Sequence, residues 1–190
     1  MTHRFADIVF TDSVKAAQQR YGSRPNNERL QTVAGPNDEL GPREAGFIAL
    51  RDTFYLATVN ETGWPYVQHR GGPIGFLKVL GPTRLAYADF RGNTQLISTG
   101  NVSNNDRCSL ILMDYPNRRR LKILGRLRVE DANDVNPDDH AIVELPEYIA
   151  RIERVAFIDV AAFDWNCPQH ITRRYTLSEY TDLQKSTVRP

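Results

Sequence analysis

Short strand-like segments separated by tight turns occupy residues 54–90, and this spacing limits the fold more than any other feature of the sequence. Aromatic and β-branched residues are concentrated in residues 54–60, 65–70, 76–80 and 84–89, with glycine- or proline-containing turns between them. Neighbouring parallel strands need a crossover of about a dozen residues or more, usually a helix. The gaps here are much shorter, so the sequence argues against a doubly wound dinucleotide-binding domain and predicts antiparallel hairpins.

A second hairpin is predicted from residues 108–113 and 120–130, which flank a turn around Pro116. Gly125 lies on the apolar face of the second strand, where a glycine often marks a bulge or a close approach of the backbone. We therefore expect the sheet to bend at Gly125. Residues 155–163 are apolar on both faces except at Asp159, which predicts a strand buried between a barrel interior and a second subunit.

Helices are expected mainly around this strand-rich region. Capping residues and apolar spacing predict helices at residues 12–20, 42–50, 92–97 and 137–145, and a further helical turn at residues 147–151. Six or seven short strands with peripheral helices predict a mainly β fold, a small antiparallel barrel.

The chain is expected to divide into three parts. Residues 1–42 contain an N-terminal helix and, from residue 22, an irregular arm rich in turn formers. Residues 43–175 form the barrel, and residues 176–190 form a C-terminal tail.

Composition narrows the class of partner. The formal net charge of +1 gives no general attraction to nucleic acid or an anionic membrane. The basic residues are 20 arginines and 4 lysines, which suits anion recognition but also follows from genome composition. Because Cys108 and Cys167 are too few for a disulfide scaffold, a reduced cytoplasmic protein is expected. The chain has no uncharged apolar run of about 20 residues, so no membrane span is predicted.

Two segments combine polar side chains with glycines. The first contains Gln68, His69 and Arg70 before Gly71, where a missing Cβ lets a ligand approach the backbone or simply permits a turn. The second runs over residues 89–95, from a strand to the expected start of a helix. Free N–H groups at such a start favour an anion, although Asn93 and Thr94 also serve as ordinary helix caps.

Two further segments have a structural and a functional interpretation. Arg118, Arg119 and Arg120 form either a solvated strand edge or part of a ligand site. Residues 165–171, WNCPQHI, place an indole, a thiol and an imidazole in one loop, although Trp165 also suits core packing. Cys167 and His170 have no second pair of ligands, so no metal site is predicted.

The succession of these segments resembles the pyridoxamine 5'-phosphate oxidase-related proteins with the FMN-binding split barrel. The resemblance rests on residues 54–65, Gln68-His69-Arg70, residues 76–78, residues 89–93 and residues 120–125, and it covers residues 45–175. The WNCPQHI segment is similar to the C-terminal signature of one branch of that family. The resemblance implies an antiparallel split barrel, a homodimer, and one FMN in each of two clefts at the dimer interface.

The resemblance also implies cofactor-binding residues. The strand and turn before residue 80 supply Gln68, His69, Arg70, Gly71 and Lys78, with the basic residues near the flavin phosphate or ring. The segment that cradles ribityl and phosphate supplies Asp89, Phe90, Gly92, Asn93, Thr94 and Gln95. Arg120, Trp165 and Gln169 reach the flavin ring from the other subunit.

The implied function is an FMN-dependent oxidoreductase that transfers a hydride between a small-molecule substrate and the flavin. His170 or His69 is the candidate for proton transfer. The family's basic run is replaced here by Asn93-Thr94-Gln95, and its terminal phosphate-gripping pair is missing, so pyridoxamine phosphate itself is not the expected substrate. The alternatives are a non-catalytic flavin-binding or redox-sensing protein, which a buried Cys167 would favour, and a barrel that binds a deazaflavin or haem.

Overall fold

Seven antiparallel strands form one curled sheet in the computed structural model, which describes residues 2–33, 35–165 and 167–187. The strands are β1 (Thr53–Val59), β2 (Pro65–Gly71), β3 (Lys78–Gly81), β4 (Arg84–Phe90), β5 (Arg107–Asp114), β6 (Arg119–Asp131) and β7 (Ile152–Trp165). Their order in the sheet is β2-β1-β5-β6-β7-β4-β3. Strands β2 and β3 are the two edges, so the sheet curls without closing. This confirms the predicted antiparallel, mainly β fold.

Seven helices accompany the sheet in the described residues. They are α1 (Arg4–Val9), α2 (Asp12–Arg20), α3 (Arg24–Val33), α4 (Pro42–Ala49), α5 (Ile97–Val102), α6 (Pro137–Val143) and α7 (Leu177–Thr187). The predicted starts of α2 and α4 are confirmed. The Thr11 hydroxyl accepts a hydrogen bond from the Val14 amide, and Glu44 accepts one from the Gly41 amide. None of the described helices is long and apolar enough to cross a bilayer.

Three helix predictions were wrong. Helix α3 lies within the stretch expected to be irregular, because Pro25 occupies its first turn, where proline is tolerated. Helix α5 begins at Ile97, where the predicted helix of residues 92–97 was expected to end, and it continues to Val102. Residues 147–151 form no helix and consist of the end of a turn followed by irregular backbone.

The main core lies inside the curled sheet. Phe54, Leu56, Tyr87 and Ile123 are at most 2% exposed, and α4 adds Phe47 to the same cluster. Burial of such side chains contributes roughly 1.5–3 kcal/mol each, so this cluster is the principal source of stability.

Near its start, the second face of β7 is covered by another segment of this chain. Val155 and Phe157 pack with Val135 and Val143 in a separate cluster beneath α6. The expectation that a partner covers this strand was therefore wrong for these residues, because a segment distant in sequence already removes their apolar surface from water.

Gly125 marks a bend in the sheet, as predicted. The register between β6 and β7 shifts between Leu124 and Gly125. A Cβ added at Gly125 would lie 2.7 Å from the carbonyl oxygen of Asp159 and 2.7 Å from Cγ2 of Ile158. Only glycine permits this approach, which accompanies a local increase in strand bending. The curl of the sheet brings the end of β2 against β4.

Candidate functional site

A buried carboxylate between two guanidinium groups lies where β2, β4 and β7 meet. Asp89 is 6% exposed, and its Oδ1 accepts a hydrogen bond from Nη1 of Arg70 at 2.6 Å. Its Oδ2 accepts a hydrogen bond from Nε of Arg154 at 2.9 Å. Arg154 reaches this position because it pairs with Asp89 across the antiparallel β4–β7 ladder. Burial acts to lower the pKa of Arg154, but the hydrogen bond and charge of Asp89 outweigh it and raise that pKa.

The guanidinium of Arg70 has a further N–H group that does not bond to Asp89. Its Nε is buried and has no hydrogen-bond partner in the described part of the chain. An unpartnered buried donor costs about 1–3 kcal/mol, so its presence favours a ligand that accepts a hydrogen bond. Arg154 also donates a hydrogen bond of 3.3 Å from Nη2 to Oε2 of Glu153, so the two guanidiniums are balanced by two carboxylates. The free Nε of Arg70 is therefore the feature of the cluster that favours an anion.

The loop after β4 faces this cluster in a strained conformation. Thr94 has φ 59° and Leu96 has φ 53°, values that residues with side chains rarely adopt. The Asn93 Oδ1 accepts a hydrogen bond from the Gln95 amide. The amides of Gly92, Asn93 and Thr94 have no partner within the described residues. Successive free amides in such a turn form a concave site for anions, and backbone strain of this kind collects at functional sites.

Helix α5, which follows the loop, contacts β2 through one of its side chains. The Ser98 hydroxyl donates a hydrogen bond of 3.1 Å to Oε1 of Gln68. Gln68 and Arg70 point to the same face because side chains alternate along β2. This contact joins the start of α5 to the strand that carries Arg70.

The space is a cleft of about 230 Å³. Its lining consists of Gln68, Arg70, Asp89, Phe90, Gly92, Asn93, Thr94, Leu96, Ile97, Ser98, Thr99 and Arg154. Pockets that enclose a drug-sized ligand usually measure about 300–1,000 Å³. One chain therefore offers part of such a site, open on one side.

Half of the residues proposed from sequence to bind the cofactor line this cleft. They are Gln68, Arg70, Asp89, Phe90, Gly92, Asn93 and Thr94. Sequence reasoning missed Arg154, Ser98 and Thr99. The two hydroxyl residues follow a turn that had already been singled out, so their chemistry was visible in the sequence. No local sequence pattern marks Arg154, because its position beside Asp89 depends on the register between β4 and β7.

Four other candidates near these segments lie outside the lining. His69 points to the opposite face of β2, where its Nε2 is 2.6 Å from the Thr53 hydroxyl oxygen. Gly71 is the last residue of β2, and a Cβ there would meet Cε1 of the His69 ring at 2.9 Å. Lys78 is half-buried at the β3 edge, and Gln95 is exposed.

The candidates expected to act on a second subunit are also outside the cleft of their own chain. Trp165 donates a hydrogen bond of 2.7 Å from Nε1 to Glu44, and its ring meets Phe47 edge to face at 4.8 Å. Arg120 is half-buried, and its Nε has no partner among the described residues. Gln169 and His170 are exposed.

The two cysteines differ in environment. Burial raises the pKa of the Cys108 thiol to about 12, whereas Cys167 is exposed. The buried Cys167 that would favour redox sensing is therefore not observed. Asn166, within the WNCPQHI segment, lies outside the described residues.

Comparison with known proteins gives consistent matches. The family described as pyridoxamine 5'-phosphate oxidase matches residues 40–155. A putative pyridoxamine 5'-phosphate oxidase from Lactobacillus delbrueckii superposes with a TM-score of 0.50 at 18% identity, covering 67% of this chain and 94% of that one. HupZ from Group A Streptococcus gives a TM-score of 0.53 at 12% identity, covering 72% and 100%. These structural likenesses concern the fold alone. No curated protein matches the chain.

Proposed function

The chain belongs to the pyridoxamine 5'-phosphate oxidase family, and from this premise we propose that it binds FMN in the cleft and functions as an FMN-dependent oxidoreductase. The observation that carries the proposal is the Arg70–Asp89–Arg154 cluster facing the free amides of the loop after β4. A dianionic phosphate is recognised by this combination of guanidinium and backbone donors.

Different residues of the cleft would contact the phosphate and the ribityl chain of FMN. Arg70 and the amides of residues 92–94 would hold the phosphate, with Arg154 adding charge from β7. Gln68 and Ser98 offer an amide and a hydroxyl to the ribityl chain. Asp89 holds both arginines in place, since it accepts a hydrogen bond from each. Bound FMN supplies the hydride-transfer chemistry, because that reactivity belongs to the flavin.

A second copy of the chain would complete the site. The cleft of one chain is small and open. Arg120 lies on the sheet face away from the main core, and its buried Nε has no hydrogen-bond partner in the part of the chain that the structure describes. Arg120, Trp165 and Gln169 would then contact the flavin bound by the partner. An arginine near the ring stabilises the negative charge that develops when the flavin is reduced.

The test is FMN binding by the purified protein, followed through quenching of flavin fluorescence. Arg70→Ala removes a charge-assisted contact that contributes about 1.5–3 kcal/mol, so FMN affinity should fall roughly 10- to 150-fold. Arg84→Ala is the matched control, because Arg84 forms an exposed ion pair with Asp159 outside the cleft. Equal affinities of the two variants, or no FMN binding by the wild type, would contradict the proposal.

Turnover is tested separately on the FMN-loaded protein. Reduction by a nicotinamide donor followed by rapid reoxidation supports an oxidoreductase. A flavin that stays oxidised with every donor tried indicates a protein that binds FMN without turnover.

A further inference from the structure

A separate cavity of about 370 Å³, which we call the α7 cavity, lies between the residues that lead into β1 and the segment that leads into α7. Its lining consists of Leu50, Arg51, Asp52, Thr53, Ile74, Met113, Tyr115, Pro116, Arg174, Tyr175, Thr176, Ser178 and Glu179. Among the described residues, none lines both this cavity and the proposed FMN cleft. Small-molecule sites usually measure about 300–1,000 Å³, so the α7 cavity is large enough for a ligand of its own.

Hydrogen bonds within the chain fix both walls of the α7 cavity. On the β1 side, the amide of Gly72 donates to the carbonyl of Asp52 at 3.0 Å. On the α7 side, the Glu179 carboxylate accepts hydrogen bonds from the amide and the hydroxyl of Thr176, at 2.8 Å and 2.9 Å. The shape of the cavity is thus set without a ligand, as in most small-molecule sites.

Apolar side chains form much of the lining and are open to solvent. Leu50 is 64% exposed, Ile74 is 69% exposed and Tyr175 is 37% exposed. Met113 and Pro116 add further apolar surface. Exposed apolar side chains that line one concave surface indicate a site for an apolar group.

Two of the charged side chains in the lining are already engaged within the chain. Among the described residues, the lining contains two arginines and two carboxylates. Arg51 donates a hydrogen bond from Nη1 to the Met113 carbonyl at 3.2 Å, and the same atom lies 3.8 Å from Oδ1 of Asp114. The Glu179 carboxylate caps α7 through Thr176. One charge of each sign is therefore occupied before any ligand binds.

The other two charged side chains, those of Asp52 and Arg174, are exposed and unpaired. The Asp52 carboxylate forms no ion pair or hydrogen bond with any residue that the structure describes. The Arg174 guanidinium lies over the Tyr115 ring, 5.1 Å from its centroid, and it has no carboxylate partner in the described part of the chain. Stacking on a ring leaves the N–H groups at the edge of a guanidinium free to bind an anion. The cavity therefore offers one unpaired charge of each sign beside an apolar wall.

We propose that the α7 cavity binds a free amino acid with an apolar side chain. The ammonium group of the ligand pairs with Asp52, its carboxylate pairs with Arg174, and its side chain lies against Ile74 and Tyr175. A ligand with a single charge would complement only one of the two unpaired groups, so a zwitterion is the best match to the cavity. The proposal does not depend on the proposed function, because the two sites share no described residue.

The probes for the test are L-phenylalanine, phenethylamine and hydrocinnamate. Phenethylamine has the same ring without the carboxylate, and hydrocinnamate has it without the ammonium group. Each probe is titrated into isotope-labelled protein and followed through the amide NMR signals. L-Phenylalanine should bind about 3- to 10-fold more tightly than either of the others, because each exposed charge pair contributes modestly. It should also shift the amide signals of Thr53 and Ser178, which line the cavity.

Two variants assign the two charges of the ligand. Arg174→Gln should weaken binding of L-phenylalanine and hydrocinnamate about 3- to 10-fold and leave phenethylamine unchanged. Asp52→Asn should weaken binding of L-phenylalanine and phenethylamine and leave hydrocinnamate unchanged. Both side chains are exposed, so folding should not be affected. Arg173→Gln is the matched control, because Arg173 is the exposed neighbour of Arg174 and lies outside the lining.

The titration of L-phenylalanine is repeated with saturating FMN, and its affinity should be unchanged. No binding of L-phenylalanine, equal affinities for the three probes, equal effects of Arg174→Gln and Arg173→Gln, or displacement by FMN would overturn the proposal. A protein that binds L-phenylalanine in this way but takes up no FMN would contradict the proposed function alone.

Discussion

Asp89 is the residue on which the candidate site depends most. Its side chain is 8% exposed, and those of Arg70 and Arg154 are 17% and 16% exposed, so the three charges stabilise one another away from water. Removal of the shared carboxylate would leave Arg70 without its carboxylate partner and Arg154 with Glu153 alone. A broken buried ion pair is destabilising because the remaining charge has lost both water and its counter-charge.

We predict that Asp89→Ala lowers the free energy of unfolding by about 3–5 kcal/mol. Asp159→Ala, which breaks the exposed pair with Arg84, should cost at most about 1 kcal/mol. Urea unfolding of both variants measures the difference. Similar losses in the two would show that burial of the Asp89 cluster contributes little.

A second prediction concerns the reactivity of the two thiols. Only the thiolate reacts with a disulfide reagent, and Cys108 is both buried and shifted to a pKa of about 12. Thiol titration at neutral pH should therefore detect one rapidly reacting cysteine per folded chain, Cys167, and two after unfolding in urea. Two fast thiols in the folded protein would contradict the burial of Cys108.

At the scale of elements, local sequence patterns were sufficient for most of the sheet. The hairpins follow from turn spacing, and the bend at Gly125 follows from a glycine on an apolar strand face. The alternation of β2 would also have separated His69 from Gln68 and Arg70, had it been applied to the site. Helix α3 was missed because its turn-forming residues lie in its first turn and beyond its end.

Gly125→Ala should destabilise the protein by about 1–3 kcal/mol, because its Cβ would overlap backbone and side-chain atoms of β7. Gly46→Ala is a useful control, since Gly46 is exposed within α4 and a Cβ there meets nothing within 4 Å. That substitution should stabilise by about 0.5–1 kcal/mol. Thermal unfolding of the two variants should thus shift in opposite directions, and a neutral Gly125→Ala would count against the close β6–β7 approach.

At the scale of the whole molecule, the site depends on contacts that local patterns do not specify. Arg154 is 65 residues from Asp89 and reaches it through the register of β4 against β7. The covering of Val155 and Phe157 by Val135 and Val143 is likewise non-local. Sequence reasoning found the residues on β2, on β4 and in the following loop, because each segment has its own turn or glycine signal. It could not predict that β7 contributes Arg154 to the same site.

The central claim is that the cleft binds FMN through its phosphate. The most direct measurement compares FMN with riboflavin, which lacks that phosphate, by titration of the wild-type protein followed through flavin fluorescence. If Arg70, Arg154 and the amides of the loop hold the phosphate, FMN should bind at least about tenfold more tightly than riboflavin. Equal affinity for the two flavins, or no binding of either, would contradict the assignment of this cleft.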